Sequence, residues 1–310
     1  MSALLSALLH ATNYRTPFLR TLIPSIGLAY GLQAAVALPS ILAQSERFYD
    51  ASGSVTYIAC TALSLYLPTL RARLAPATAA AGQTPAWPGL LASLTSKGGP
   101  GLWNWRQVVL SAAVTLWAAR LGSFLFGRIT AENGRDSRFD SIRANPAKFS
   151  VAFFAQATWV SLCLMPVLAL NSIPSASLAA LPFLTLTDVL GLALYVGGIT
   201  FEATADRQKS AWMREKKEKK HSEDFLTRGL WGKSRHPNYF GESTLWTGIA
   251  TTAAGVMLSG VGQAGMGFSG SGAARLGALA MAGVSPAFVT FLLLKVCLAF
   301  VRESRARWRW

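Results

Sequence analysis

Long apolar segments, separated by shorter polar ones, follow one another along almost the whole chain. A helix needs about 20 apolar residues to cross a bilayer. Runs of about that length occur at 22–44, 52–70, 106–127, 150–171, 181–202, 243–261 and 279–301. The pattern therefore predicts an all-α fold, a polytopic transmembrane helical bundle of about seven spans.

The composition agrees with a protein that spans a membrane several times. Hydrophobic residues make up 52% of the chain and charged residues only 14%, whereas soluble proteins carry roughly 25% charged residues. The first twenty residues lack the order of charge, apolar core and cleavage site that marks a signal peptide, so we expect an interfacial segment there. Residues 74–101 and 262–274 are rich in small residues and are predicted to be flexible loops.

The distribution of basic residues predicts the orientation of the bundle. The net charge is +15, and Lys and Arg collect in 128–149, in 203–242 and after Phe300. With seven spans these segments fall on one side, which the positive-inside rule identifies as cytosolic. Arg71, Arg73 and Lys97 fall on the other side. Because the charge lies in loops between apolar runs, a nucleic-acid partner is not expected.

Cysteine and histidine patterns give no sign of a metal site or a disulfide framework. Cys60, Cys163 and Cys297 each lie inside an apolar run and are predicted to be buried thiols. His10 is expected at the level of the lipid headgroups, and His221, within a run of charges, in solvent. Only His236 lies in a segment dense in other polar groups.

The segment 203–242 holds ten of the 29 Lys and Arg residues and begins where an apolar helix ends. If that helix continues through FEATADRQK (201–209), then Glu202, Asp206 and Lys209 share one of its faces. An acidic residue near the end of a span, such as Glu202, usually has a partner or a function. A local salt bridge between Asp206 and Lys209 is the alternative explanation of this face.

The stretch GLWGKSRHPNYFGES (229–243) combines cations with aromatic and amide side chains. Lys233 and Arg235 suit phosphate binding, and Pro237 is expected in the first turn of a helix whose positive end then faces a bound anion. Hydrogen bonds to sugar or amide groups are expected from Asn238, Tyr239 and Glu242. His236 either donates to a phosphate or shuttles a proton, or it is a structural helix cap.

Two further patterns lie outside this stretch. ENGRDSRFD (132–140) follows Arg128, and Arg128, Asp136 and Arg138 either complete a shared cleft with 203–242 or act as interfacial anchors. Gly265 to Gly270 matches G-x-G-x-x-G, but a dinucleotide fingerprint needs a preceding strand and a following acidic residue. Neither is expected there, so a Gly-rich linker is predicted instead.

The runs FEATADRQK and GLWGKSRHPNYFGES, together with GRDSRF (134–139) and SPAFVTFLLLKVCLAFVRES (285–304), resemble the DUF1295 family, a branch of the steroid 5-alpha-reductase-like membrane enzymes. The shorter pattern Arg-His-Pro-x-Tyr-x-Gly is shared with the isoprenylcysteine methyltransferases. The resemblance covers roughly 105–304. It divides the chain into an N-terminal membrane region (1–104), a reductase-like transmembrane domain (105–304) and a basic tail (305–310).

The resemblance implies an enzyme of the endoplasmic reticulum membrane that uses NADPH to reduce a carbon–carbon double bond in a sterol-like or other unsaturated lipid. The cofactor-binding residues that it implies are Asp206, Lys209, Trp231, Lys233, Arg235, His236, Asn238, Tyr239 and Glu242, with Arg128, Asp136 and Arg138 as weaker transfers. At Val296-Cys297-Leu298-Ala299 the chain departs from the Ser-Gly-x-Pro of many family members.

The chemistry of such a reduction requires a proton donor beside the hydride source. Candidate donors are Tyr239, His236 and Glu202, with Tyr57, Tyr66 and Glu46 of the N-terminal half as alternatives. Two other functions remain open, namely an S-adenosylmethionine-dependent membrane methyltransferase and a non-catalytic lipid-binding protein of the same fold. The cluster of Lys209, Lys233 and Arg235 favours NADPH, because the methyl donor carries no phosphate.

Overall fold

The structure is a computed structural model, which describes residues 3–75, 85–99, 101–131 and 134–296. The helices in chain order are α1 (Ala3–Ala11), α2 (Pro17–Leu42), α3 (Tyr49–Leu74), α4 (Leu90–Ser93), α5 (Trp105–Ala131), α6 (Pro146–Ser172), α7 (Ser175–Leu178), α8 (Leu186–Lys217), α9 (Pro237–Met257), α10 (Gly260–Met266) and α11 (Gly272–Phe291). A π-helical turn, Leu292–Val296, continues α11. Short 3-10 helices lie at Ser137–Phe139 and Gly229–Gly232.

Within the described residues, six helices are long and apolar enough to cross a membrane: α2, α3, α5, α6, α8 and α11. Helices α9 and α10 pass the same test only together, and they are bent by 89° at the break between them. Six of the predicted spans overlap these six helices, and the seventh, 243–261, overlaps the bent pair. The predicted all-α, multi-pass membrane fold is therefore confirmed, with six spans, or seven if the bent pair counts as one.

Consecutive spans run in opposite directions, so the connecting segments alternate between two ends of the bundle. We call the end that holds 43–48, 134–145 and 218–236 the basic end, and the end that holds 12–16, 85–104, 173–185 and 258–271 the opposite end. At the opposite end, the fully buried Arg106 donates to Asp188 at 2.6 and 2.8 Å. This ion pair joins the first turns of α5 and α8.

Helices α8 and α9 meet backbone to backbone along glycines spaced seven residues apart: Gly191 and Gly198 on α8, and Gly241, Gly248 and Gly255 on α9. A Cβ atom added at Gly198 would lie 2.5 Å from the amide nitrogen of Leu245 and 2.7 Å from the carbonyl oxygen of Gly241. Small residues allow membrane helices to approach this closely. The hydrophobic effect does not drive helix association in lipid, so close van der Waals packing between the helices takes its place.

The core joins residues of nine of the described helices, all of those from α2 through α11 except α4, into one cluster. At its centre Trp117 of α5 packs edge-on against Tyr57 of α3 and Trp246 of α9, with ring centroids 5.0 and 4.9 Å apart. Cys60 and Cys163 are buried free thiols, as predicted. Cys297 lies outside the described residues, as does the departure at 297–299 and the basic tail.

Parts of the two predicted loops have regular secondary structure where the structure describes them. Within 74–101, residues 90–93 form α4, and Lys97–Gly99 (β1) pairs antiparallel with Leu102–Asn104 (β2). Residues 76–84 and 100 lie outside the described residues. Most of 262–274 belongs to α10 and α11, and Gly265 is buried within α10. The glycine pattern at 265–270 therefore covers the end of α10, where Gly267 is left-handed with φ of 82°, and a helix rather than a strand leads into it.

Candidate functional site

A buried cluster of carboxylates lies near the basic end, where α5, α8 and α9 meet. Arg120 of α5 donates to Glu202 and, at 3.0 Å, to Asp206, both on α8. Glu202 and Asp206 lie one helical turn apart, so one guanidinium reaches both, and the predicted shared face is confirmed for this pair. The predicted salt bridge between Asp206 and Lys209 was wrong, because Arg120 pairs with Asp206 instead.

Glu242 of α9 brings a third carboxylate into electrostatic contact with Glu202, Asp206 and Arg120. Its Oε1 atom is buried and has no hydrogen-bond partner among the described residues, and the same holds for Oε2 of Glu202 and Oδ1 of Asn238. Unpartnered buried acceptors are costly and call for an explanation. Here they mark a place where a ligand's N–H or O–H groups would find acceptors.

Cations gather one layer further out, toward the basic end. The charges of Lys209 and Arg235 act on His236, and the charge of Arg128 acts on Lys209. In the described part of the chain, Lys209, Lys233 and Arg235 form no ion pair. The arrangement therefore places cations without an ion-pair partner next to a layer of carboxylates, of which Asp206 acts electrostatically on Lys209.

The 3-10 helix Gly229–Gly232 holds this layer against α8. Trp231 donates its indole N–H to the carbonyl oxygen of Ala205 at 2.9 Å, and its ring lies 5.3 Å from the Lys209 ammonium. Gln208 accepts from the amide of Leu230 at 3.0 Å. Gly229 turns the chain with φ of 59°, a conformation that favours glycine. Trp231 thus orients Lys209 by a cation–π contact.

His236 and Tyr239 form a stacked pair at the start of α9. Their ring centroids lie 4.7 Å apart with the planes only 6° from parallel. His236 occupies the N-cap position but its side chain makes no capping hydrogen bond, so the structural-cap alternative was wrong for the ring. Burial and the charges of Lys209 and Arg235 lower the pKa of His236. Pro237 begins α9, as predicted.

Arg128, Asp136 and Arg138 belong to a second ion-pair network at the basic end. Arg138 reaches Asp136 at 2.7 Å and Asp50 at 3.1 Å, and Arg128 lies 3.4 Å from Asp136. Burial raises the pKa of Asp136, but hydrogen bonds from Arg138 and the charges of Arg138 and Arg128 outweigh it, so the pKa lies below its ordinary value. These arginines are therefore paired with carboxylates.

Glu46, in the loop between α2 and α3, anchors the same network. It is 1% exposed and accepts from the amide of Asp136 at 2.7 Å and from Arg143 at 2.7 Å. Burial raises the pKa of Glu46, but the hydrogen bonds from Arg143 and Asp136 hold it below its ordinary value. Glu46 thus has a structural role in the fold of the loop.

Arg120 was not among the site residues predicted from the sequence, although its position within an apolar run was a signal. Placing an arginine within the apolar run 106–127 costs free energy in a membrane, so such a residue usually pairs with an acidic one. Of the N-terminal tyrosines, Tyr57 is buried in the core and interacts electrostatically with Glu242, whereas Tyr66 packs against Trp103 near the opposite end. His221 is half-buried and stacks on Trp212, so its predicted full solvation was wrong.

Two cavities formed by described residues lie away from this cluster. One, of about 530 Å³, lies at the opposite end between α1, α2, α3 and α6. The other, of about 410 Å³, lies beside α11 and is lined by Phe268, Ser269, Ala274, Gly277 and Met281. The candidate site is thus a polar cluster at the basic end that is distinct from both.

Comparison with known proteins gives one family match. The sequence model described as "Protein of unknown function (DUF1295)" matches residues 81–262, more than half of the chain. No curated protein and no solved structure matches. The matched region contains the carboxylate cluster, the cation layer and the 3-10 helix between them.

Proposed function

We propose a function for this chain, which belongs to the DUF1295 family of proteins of unknown function. We propose that it is an NADPH-dependent membrane reductase that acts on a carbon–carbon double bond of a sterol-like or other unsaturated lipid. One observation carries this proposal. At the basic end, cations that form no ion pair lie close to buried acceptor atoms that have no hydrogen-bond partner in the described part of the chain.

The outer layer supports a phosphorylated ligand. Lys209, Lys233 and Arg235 form no ion pair in the described part of the chain, and His236 lies within reach of two of these charges. Arg binds phosphate oxygens bidentately and Lys binds them as a point charge. Since S-adenosylmethionine carries no phosphate, this layer favours NADPH over the methyl donor.

The inner layer supports the other end of the same ligand. Oε1 of Glu242 and Oδ1 of Asn238 lack a donor, and a carboxamide N–H₂ group or a ribose hydroxyl supplies one. NADPH, when bound, supplies a hydride to one carbon of the double bond. Lys209, Lys233 and Arg235 would hold its phosphates, and Glu242 and Asn238 would accept hydrogen bonds from its polar donors.

The chain must deliver a proton to the second carbon. We assign this task to the stacked pair of His236 and Tyr239, because His236 lies at the basic end and Tyr239 packs against the core. The Tyr239 hydroxyl donates its proton to the substrate, which thus gains one hydride and one proton, and the phenolate then takes a proton back from water. His236, stacked on the Tyr239 ring, positions that ring. Glu202 is held by Arg120, so its proposed role is electrostatic.

A lipid substrate suits the surroundings of the site. Phe240, on α9 beside the site, is 63% exposed, and its ring centroid lies 5.4 Å from that of Phe201 on α8. In a bilayer this apolar face contacts lipid directly. We further propose that the basic end faces the cytosol from the endoplasmic reticulum membrane, following the positive-inside rule.

Thermal unfolding of the detergent-purified protein tests cofactor binding. A ligand that binds only the folded state at about 100 times its Kd stabilises it by about 2.7 kcal/mol. We expect NADPH to raise the midpoint of unfolding, and Arg235→Gln and Lys209→Gln to weaken this effect. Lys217→Gln on the exposed last turn of α8 removes the same charge away from the site and should leave it unchanged.

Stabilisation by S-adenosylmethionine but not by NADPH would reverse the assignment in favour of the methyltransferase, and no stabilisation by either would favour the non-catalytic lipid-binding protein. For turnover, a lipid extract incubated with the enzyme and NADPH should yield a product heavier by two hydrogens. That product should be lost in His236→Gln while NADPH binding persists.

A further inference from the structure

The cavity at the opposite end of the bundle lies far along the spans from the proposed reductase site. It is formed where α1 leans over the start of α2 and the ends of α3 and α6. Its volume of about 530 Å³ falls within the range of about 300–1,000 Å³ that is usual for small-molecule sites. The cavity is therefore large enough to hold a headgroup-sized ligand.

The charged groups that line this cavity are all basic. Arg20 and Arg71 both face it and lie close enough for their charges to interact. None of its described lining residues is acidic, and across the described ranges neither arginine forms an ion pair. Two guanidinium groups beside one cavity repel each other, and an anion between them would relieve this repulsion.

Backbone carbonyl groups fix both side chains in place. Arg71 donates to the carbonyl oxygen of Leu9 at 2.8 Å and to that of Thr12 at 3.0 Å, so it ties α1 to α3. Arg20 donates to the carbonyl oxygen of Tyr14. These acceptors are neutral and leave the two positive charges uncompensated. The Nε–H group of Arg71 has no partner in the described part of the chain.

We propose that this cavity binds a phosphate group, and that the phosphate belongs to the headgroup of a phospholipid in the adjoining leaflet. Arginines recognise phosphate oxygens through charge-assisted hydrogen bonds. The rest of the lining is mixed, with Ser6, Asn13 and Thr21 for the glycerol oxygens and Leu9, Pro68 and Pro174 for the apolar stem.

The position of the cavity favours a lipid over a free anion as the source of the phosphate. It lies at the ends of the membrane-spanning helices α2, α3 and α6, the level at which headgroups lie. Helix α1 beside it exposes Leu8, at 54%, as a helix lying in the membrane interface does. This lipid site does not depend on the proposed reductase activity.

Thermal unfolding of the full chain in a neutral detergent tests the proposal, with short-chain phosphatidylglycerol and inorganic phosphate as separate probes. We expect phosphatidylglycerol to raise the midpoint, and Arg20→Gln to weaken its apparent affinity about tenfold, since a hydrogen bond to a charged group is lost. Arg20→Lys should retain part of the affinity. Arg73→Gln is the matched control. Arg73 lies on the same end of α3 as Arg71, but it stacks on Trp87 and does not line the cavity.

The midpoint of each variant without lipid shows whether it is folded. Equal stabilisation by inorganic phosphate with the same dependence on Arg20 would overturn the lipid source. An Arg20→Gln variant that is folded and binds phosphatidylglycerol as tightly as the unchanged protein would overturn the site itself.

Discussion

At the scale of single residues, Arg120 balances the charge of the candidate site. It contacts two carboxylates of α8, and in the described part of the chain Glu202 and Asp206 have no other ion-pair partner. The side chain of Glu202 is only 3% exposed. Removing one partner of a buried ion pair leaves an uncompensated charge, which costs far more than the pair itself contributes.

We therefore expect Arg120→Gln to destabilise the protein by about 3 kcal/mol, measured by unfolding in mixed detergent micelles. Adding Glu202→Gln to this variant should recover part of the loss, because Glu202 is then no longer buried as a charge without its partner. A double-mutant cycle gives the coupling energy. Effects of the two substitutions that simply add would contradict the assigned pair.

The shared face of Glu202 and Asp206 could be predicted from the sequence, because residues four apart on one helix are neighbours whatever surrounds them. Their partner could not, since Arg120 lies 82 residues from Glu202 along the chain. Spacing within a helix is local, whereas the choice of counter-ion depends on which helices pack together. The same limit explains why the paired state of Arg128 and Arg138 was not foreseen.

At the scale of elements, hydropathy located the spans but not their ends. The predicted span 181–202 overlaps α8, which begins at Leu186 and runs to Lys217. Its last turns are charged, so hydropathy does not count them as part of the span, although the helix continues through them. Likewise, α9 begins at Pro237, before its apolar run begins, because its first turns are polar. These polar turns of α8 and α9 hold most of the candidate site.

The glycine seam between α8 and α9 sets the distance between the two halves of the site. A Cβ atom at Gly241 would lie 2.6 Å from the amide nitrogen of Glu202. Close packing at this seam is what brings Glu242 into electrostatic contact with Glu202 and Asp206. The spacing of seven residues in both helices keeps the glycines on the contact face.

We expect Gly198→Ala to destabilise the protein by about 1–3 kcal/mol, because its new methyl group meets the backbone of α9 and an overpacked contact must move apart. Gly197→Ala is the matched control. It adds the same methyl group on the same helix, where nothing lies within 4 Å, and should be neutral or slightly stabilising. Unfolding midpoints in detergent distinguish the two, and equal effects would contradict the seam.

At the scale of the whole molecule, the two ends of the bundle differ in their polar chemistry. The basic end holds the Glu46 network and the candidate reductase site, whereas the opposite end holds the buried Arg106–Asp188 pair and the cationic cavity. The two sites are separated by the aromatic core around Trp117. Each site therefore meets a different leaflet of the membrane.

This arrangement predicts which loops share a side of the membrane. Lys220→Cys at the basic end and Ser269→Cys at the opposite end are exposed positions, and Cys60 and Cys163 are buried. In sealed vesicles, a membrane-impermeant maleimide should label only one of the two substituted cysteines, and the unchanged protein serves as the background. Labelling of both in intact vesicles would contradict the odd number of crossings between them.

The sequence by itself determined that the protein is a multi-pass helical membrane protein, where its spans lie, and that polar chemistry collects around 201–242. These are local properties, because hydropathy and helical spacing depend only on neighbouring residues. The tertiary structure decided that Arg120 pairs with Glu202 and Asp206, that Lys209 rests on Trp231, and that Arg20 and Arg71 share a cavity. Those contacts join segments far apart in the chain, and only the packing of the helices brings them together.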